Sequence, residues 1–401
     1  MGSTMMTVGR WSLAIIVGLY LVLFAFDSVA HMRNFTTDSA NYVDVARNLL
    51  EGRGLVQSTL GFNMPDFAPD APIPVPFTSQ PPLYPASIAL LSLTGVDQSD
   101  IALIVAVLGY GLVLLLSYFL AVTLYDERMG LLVVAALLFY HPLTFVAGHA
   151  WSETLAVAFV LLSLWLLVLY TRGQLGQVTG ALLSGVAGGL AFATRYSLAA
   201  IVGVVVASTV ITALTRRDRK QKVERLATVS LYVVGFVVIA GPVLLHNWLA
   251  TGALLPSYNP SNSSAMENAG RALATLFGGY AEVGDSLQRE VVFALVLIAL
   301  FGLALLRQRG TSSRWLANTF FRDDRYLLVG WAVTYTALVV YQRSIHHFDE
   351  LDERLLVPAG LALVMLVVAF AARAVHISWR AAMGVAILIA MAALIQQVAV
   401  V

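Results

Sequence analysis

Apolar residues along the chain gather into runs close to 20 residues long, the length a helix needs to cross roughly 30 Å of hydrocarbon. The runs fall at 11–29, 100–124, 130–147, 153–171, 178–193, 197–215, 226–247, 291–306, 326–342, 355–372 and 381–400. They predict an all-α polytopic membrane protein, a bundle of about 11 transmembrane helices forming one transmembrane domain over residues 1–401. Two connections, about 31–99 and 248–290, are too long to be turns, and long connections often carry function. In the first, Asp38 to Glu51 spaces Tyr42, Val45, Ala46, Leu49 and Leu50 along one stripe. That spacing predicts an amphipathic helix lying on the membrane surface, ended by Gly52 and Gly54. The Pro-rich stretch Met64 to Pro85 predicts an extended strap, and Ala86 to Leu93 a second short helix.

Composition supports this picture. Hydrophobic residues make up 59% of the chain and charged ones 12%, against about 45–50% and 25% in soluble domains, and mean hydropathy is +0.81. A net charge of +1 excludes the basic character of a nucleic-acid binder. The absence of Cys excludes disulfides, thiolate metal sites and a thiol nucleophile. The first apolar run follows Arg10 and lacks a small-residue cleavage site, so it is expected to remain as a helix. Basic residues near helix ends stay cytoplasmic. With the N-terminus inside, 16 of the 24 Lys and Arg fall in cytoplasmic loops, among them the run Arg216 to Arg225 beside anionic lipid. Both long connections are then extracytoplasmic, as is the C-terminus. The expected setting is a prokaryotic plasma membrane.

Ionisable groups at the outer ends of spans are costly to bury and so are the first candidates for a site. They are Asp38 and Asp44 in the first connection, Glu153 opening the fourth run, Arg195 in a short turn, and Arg354, which ends the cluster beginning at His346 and His347. Each also has a structural reading. Asp38 follows Thr36 and Thr37 and could cap its helix. Asp44 could be a solvated residue on that helix, and Glu153 a first-turn acid favoured by the helix dipole. Arg195 and Arg354 could snorkel or answer neighbouring acids. His346 and His347 could ligate a divalent metal with Asp349, although this motif is short. Gly185, Gly188 and Gly189 suit close helix packing better than phosphate binding.

The order of motifs resembles GT-C glycosyltransferases, particularly the protein O-mannosyltransferase and aminoarabinose-transferase type. The landmarks are Asp38-Ser39 through Gly54-Leu55, Gln80-Pro81-Pro82-Leu83-Tyr84-Pro85, Trp151-Ser152-Glu153, Ala193-Thr194-Arg195-Tyr196, His246-Asn247-Trp248 and Arg354-Leu355-Leu356-Val357-Pro358. The resemblance implies inverting transfer of a sugar from a polyprenyl-phosphate donor to a hydroxyl of a glycan, lipid or protein on the extracytoplasmic face. It makes Asp38 the general base; Glu153, the second catalytic candidate, could orient the acceptor or the sugar. Asp44, Tyr84, Arg195, His346, His347 and Arg354 become the substrate-binding candidates. The acidic pair common in that family is here Asp38-Ser39, which leaves a second carboxylate role open.

Two rival classes fit the same hydropathy: a lipid or sugar transporter or flippase, and a non-catalytic scaffold subunit. A transporter places polar groups near the membrane midplane, whereas mid-span positions here carry almost no charge. In a scaffold, Asp38 would be dispensable.

Overall fold

The computed structural model describes residues 2–31, 35–58, 74–215, 218–256, 258–276, 323–347, 351–375 and 377–400. The run 291–306 and the Asp349 position lie outside them. The described helices are α1 (Gly2–His31), α2 (Thr37–Leu50), α3 (Leu83–Ser92), α4 (Gln98–Leu124), α5 (Glu127–Leu138), α6 (His141–Ala147), α7 (Glu153–Thr171), α8 (Gln177–Thr194), α9 (Ala200–Thr215), α10 (Arg219–Thr251), α11 (Ala265–Leu276), α12 (Tyr326–Ile345), α13 (Glu353–Val375) and α14 (Trp379–Val400). A 3-10 turn, Tyr196–Ala199, joins α8 to α9. Seven of these helices are long and apolar enough to span a membrane, or eight when α5 and α6 count as one.

The run 130–147 is not one straight helix. It breaks into α5 and α6, bent by 64°, where Pro142 sits in the first turn of α6 and Tyr140 is extended. A proline tolerates that position because no N–H is needed there. The same allowance moves α3 forward: Pro85 falls in its first turn, so the helix starts at Leu83 and not at Ala86. At its far end α10 outruns its apolar core to reach Thr251, where Gly252 at φ 72° supplies the left-handed residue that stops it.

The helices pack by two means. Small residues bring α8 and α10 into backbone contact: a methyl group on Gly185 would lie 2.0 Å from the Tyr232 carbonyl oxygen, and one on Gly235 2.3 Å from that of Leu182. The glycines therefore serve helix packing. Between α7, α8 and α10, the Ser163 hydroxyl donates to the Ser184 carbonyl at 2.8 Å and lies 3.3 Å from the Tyr232 hydroxyl. That knot satisfies buried polar atoms between the three helices. The apolar stretch of α13 is almost wholly buried. From α12, Trp331 and Tyr335 donate to its Pro358 and Leu355 carbonyls at 2.8 and 3.0 Å. On the periphery, Trp11, Ile15, Leu19, Val22 and Phe26 of α1 point outward at helical spacing.

One end of the bundle holds the basic loops. There Arg172 and Arg325 both donate to the Leu124 carbonyl, and Arg128 donates to that of Ile377. The other end carries α2, α3 and a two-stranded strap, β1 (Val56–Gln57) antiparallel to β2 (Val75–Pro76). The strap runs over the ends of α8 and α10: Tyr196 donates to the Thr78 carbonyl at 3.2 Å, and the His246 ring lies 3.3 Å from that of Phe77. Helix α2 presses Tyr42, Val43, Val45 and Ala46 into a core shared with α3 and α4, leaving Leu50 exposed. The stripe read from the sequence thus faces protein more than a membrane surface.

Candidate functional site

At the strap end the chain assembles four charged side chains from four separate regions. Asp38 stands in the first turn of α2. The helix is capped by Thr36, whose hydroxyl accepts from the Ser39 N–H while the Ser39 hydroxyl accepts from the Thr36 N–H. The capping role that sequence offered to Asp38 is therefore filled, and its carboxylate turns to other partners. Oδ1 accepts from the Gln80 amide at 3.0 Å. Oδ2 accepts from the Nη2 group of Arg354.

Glu153 opens α7 and is 1% exposed. Its Oε1 accepts from both Arg195 Nη1 and Arg354 Nε. Its Oε2 is buried and has no hydrogen-bond partner among the described residues. Arg195 lies in the extended link after α8, and Arg354 in the first turn of α13. Two carboxylates and two guanidiniums give the cluster zero formal charge. Such compensation is what makes burial of all four tolerable, since a buried charge stripped of its partner costs about 3–5 kcal/mol.

Aromatic residues hold the Arg354 guanidinium in place. It lies over the Trp151 ring at 4.2 Å. Trp151 stacks in turn on the His149 ring at 4.1 Å and donates its N–H to the Thr36 hydroxyl at 2.7 Å. The helix cap of α2 and the platform under Arg354 are thus one structure. Burial lowers the pKa of His149, opposed by the Phe145 carbonyl at its Nδ1 and reinforced by Arg354, which favours a neutral ring. Tyr42 is fully buried with its hydroxyl 3.1 Å from that of Ser152. Burial raises its pKa, and the negative charges of Asp38 and Glu153 add to the effect, so the phenol keeps its proton.

The remaining sequence candidates lie elsewhere. Asp44 accepts from the Ser58 backbone N–H at 2.6 Å and ties α2 to β1. Tyr84 is wholly buried behind Tyr42, its hydroxyl donating to the Ala102 carbonyl at 2.8 Å; it supports α2 from behind. His346 and His347 end α12 and pair with the strip after α10, through the Pro260 bridge and the Asn259 carbonyl. No group of three His, Asp or Glu side chains among the described residues is placed to hold a metal ion, and both carboxylates of the cluster are committed to arginines. Asp352 caps α13 by accepting from the Leu355 N–H at 3.0 Å. Sequence reasoning gave no role to Gln80, Trp151 or His149, although the first two stand inside motifs it singled out.

Comparison with known proteins gives a fold and a family match over part of the chain. A family model described as dolichyl-phosphate-mannose-protein mannosyltransferase matches residues 79–246. That segment holds Gln80, Glu153 and Arg195 but stops short of Asp38 and Arg354. No curated protein sequence matches the chain significantly. Among solved structures, ArnT from Cupriavidus metallidurans bound to undecaprenyl phosphate is similar at 15% identity and a TM-score of 0.65, over 92% of this chain and 61% of that one. The Archaeoglobus fulgidus oligosaccharyltransferase complex with Zn and sulfate is similar at 15% identity and a TM-score of 0.52, over 95% of this chain and 52% of that one. The archaeal oligosaccharyltransferase AglB from the same organism, in complex with an inhibitory peptide and a dolichol-phosphate, matches at 12% identity and a TM-score of 0.50, over 97% and 55%. The chain therefore spans less than two thirds of the length of each of these structures.

Proposed function

We propose that the chain is a member of the GT-C superfamily of integral membrane glycosyltransferases and that it moves a sugar from a polyprenyl-phosphate donor to an acceptor hydroxyl. The observation that carries the reading is the buried network of Asp38, Glu153, Arg195 and Arg354 at one end of the bundle. A lipid-linked donor keeps its prenyl tail in the membrane and its phosphate and sugar at the edge, so its site needs cations beside apolar helices at that depth. Arg195 and Arg354 meet that need. The polyprenyl phosphates named with the similar structures support the same donor class.

In this reading the acceptor oxygen attacks the anomeric carbon from the side opposite the phosphate. The carbon–oxygen bond to the phosphate breaks, the lipid phosphate departs, and the acceptor proton passes to Asp38. A single displacement of this kind inverts the anomeric centre. Negative charge grows on the departing phosphate, where a guanidinium's two parallel N–H groups bind more tightly than in the ground state. Glu153 holds both guanidiniums together through its shared oxygen. We place the site on the extracytoplasmic face, because the basic loops lie at the opposite end.

The test is to incubate purified protein with a panel of polyprenyl-phosphate sugars and acceptor glycans, lipids and peptides. Acceptor-dependent release of polyprenyl phosphate is the expected result, and failure to release it from any donor contradicts the reading. The side is tested separately. With no native Cys, Cys placed at Glu51 and at Lys220 should react with an impermeant reagent from opposite faces, and labelling of both from one face overturns the placement.

A further inference from the structure

We infer that Asp38 and the donor phosphate compete for the same guanidinium, so that arrival of the donor releases Asp38 to act as the base. This inference rests on the glycosyltransferase reading above and concerns the order of events within that site.

The two acids on Arg354 are held differently. Glu153 is 1% exposed, and its one bonded oxygen is shared between two arginines. Displacing it would strand two cations in a buried place. The Asp38 side chain is 26% exposed and pairs with a single arginine among the described residues. It reaches Arg354 from α2, a helix that does not span the membrane, and lies against the strap through Gln80. Of the two contacts, Asp38–Arg354 is therefore the one an incoming anion can replace.

Nothing about the guanidinium depends on Asp38 for its orientation. Trp151 fixes its plane from one face at 4.2 Å, and Glu153 fixes it through Nε. The Nη2 group given to Asp38 is free to turn its hydrogen bond to a phosphate oxygen without the side chain moving. Nor does Asp38 swing away once released, because the Gln80 amide still holds Oδ1 at 3.0 Å. Oδ2 is then left where an acceptor hydroxyl can reach it.

Charge balance gives the exchange its direction. Among the described residues, two acids answer two arginines. A phosphate added while Asp38 remains ionised puts three anionic groups against two cations in a poorly solvated place. Transfer moves the acceptor proton onto Asp38 and its negative charge onto the departing phosphate, so the net charge is unchanged but the charge that remains sits on groups held by Arg195 and Arg354. Donor binding thus favours the proton transfer, and an acceptor arriving first finds the base already occupied by Arg354.

The exchange makes an unusual prediction, that removing the base improves donor binding. Undecaprenyl phosphate binding is measured on wild type, Asp38→Asn and Asp38→Ser in lipid nanodiscs, with thermal unfolding confirming that each is folded. Loss of the competing carboxylate should tighten binding about tenfold in both variants, while Arg354→Lys weakens it. Folded Asp38 variants that bind undecaprenyl phosphate no more tightly than wild type overturn the exchange and leave the glycosyltransferase reading standing. Failure of wild type and both variants to bind it at all overturns the two together.

Discussion

The two ends of the bundle treat their arginines in opposite ways. At the basic end, Arg128 pairs with Asp126 two residues away at 2.8 Å, with side chains 44% and 38% exposed, and Arg172 stands 4.0 Å from Asp324. Arg325 and Arg373 lie over the ring of Tyr125 at 4.6 and 5.3 Å. At the strap end, Arg354 reaches acids 201 and 316 positions away, and all three partners are largely removed from solvent. Exposed local pairs contribute roughly 0–1 kcal/mol and serve orientation in the membrane. Buried pairs gathered from distant segments do not form by default, because desolvating each ion costs several kcal/mol. The comparison teaches where to look for chemistry: at the basic end the arginines answer single acids, backbone carbonyls and a ring, whereas at the strap end two arginines and two acids share one buried cluster.

Substitutions can break this contrast, beginning with the largest effect. Glu153→Gln removes the acid shared by two buried guanidiniums and should lower stability by about 3–5 kcal/mol, read as a fall in the thermal unfolding midpoint in detergent, with loss of transfer. A midpoint close to wild type would mean that water already compensates these arginines. Arg354→Lys keeps the charge and loses the planar fork, so turnover with a polyprenyl-phosphate sugar should fall at least about tenfold, or roughly 1.4 kcal/mol. A near-normal rate would return Arg354 to a structural role and leave Arg195 as the phosphate ligand. Asp44→Asn, a change in the same helix as Asp38, should cost about 1 kcal/mol of stability through its bond to Ser58 and leave turnover within a few-fold. Arg128→Gln at the basic end should change stability by less than about 1 kcal/mol and leave transfer unaltered.

Much of this contrast was legible before the structure. Hydropathy located the helices because each apolar run must satisfy its own backbone in lipid, and the glycines of α8 announced close packing. The four charged residues of the cluster were all visible as ionisable groups at span ends. Their mutual bonding was not, since contact between positions 38 and 354 is set by how α2 and α13 meet and leaves no local trace. Local rules also competed. Thr36 and Ser39 form the capping box that the first acid of the helix, Asp38, seemed suited to replace. Pro85 reads as the end of an extended strap and Pro142 lies inside one continuous run, but both sit in first turns, so one lengthens a helix and the other bends a span. Gln80 and Trp151 were hidden because an amide and an aromatic ring carry no charge to flag them, although the first positions Asp38 and the second the guanidinium of Arg354.

The central claim is that Asp38 takes the acceptor proton, and its most direct test is turnover of Asp38→Asn with a polyprenyl-phosphate sugar and a competent acceptor. The amide keeps the shape and the Gln80 neighbour but loses the basic oxygen, and general-base catalysis contributes about 10²- to 10⁴-fold. The account predicts a folded protein that still binds polyprenyl phosphate and turns over at least about a hundredfold more slowly than wild type. Turnover above about a tenth of wild type would contradict it and remove Asp38 from the chemistry.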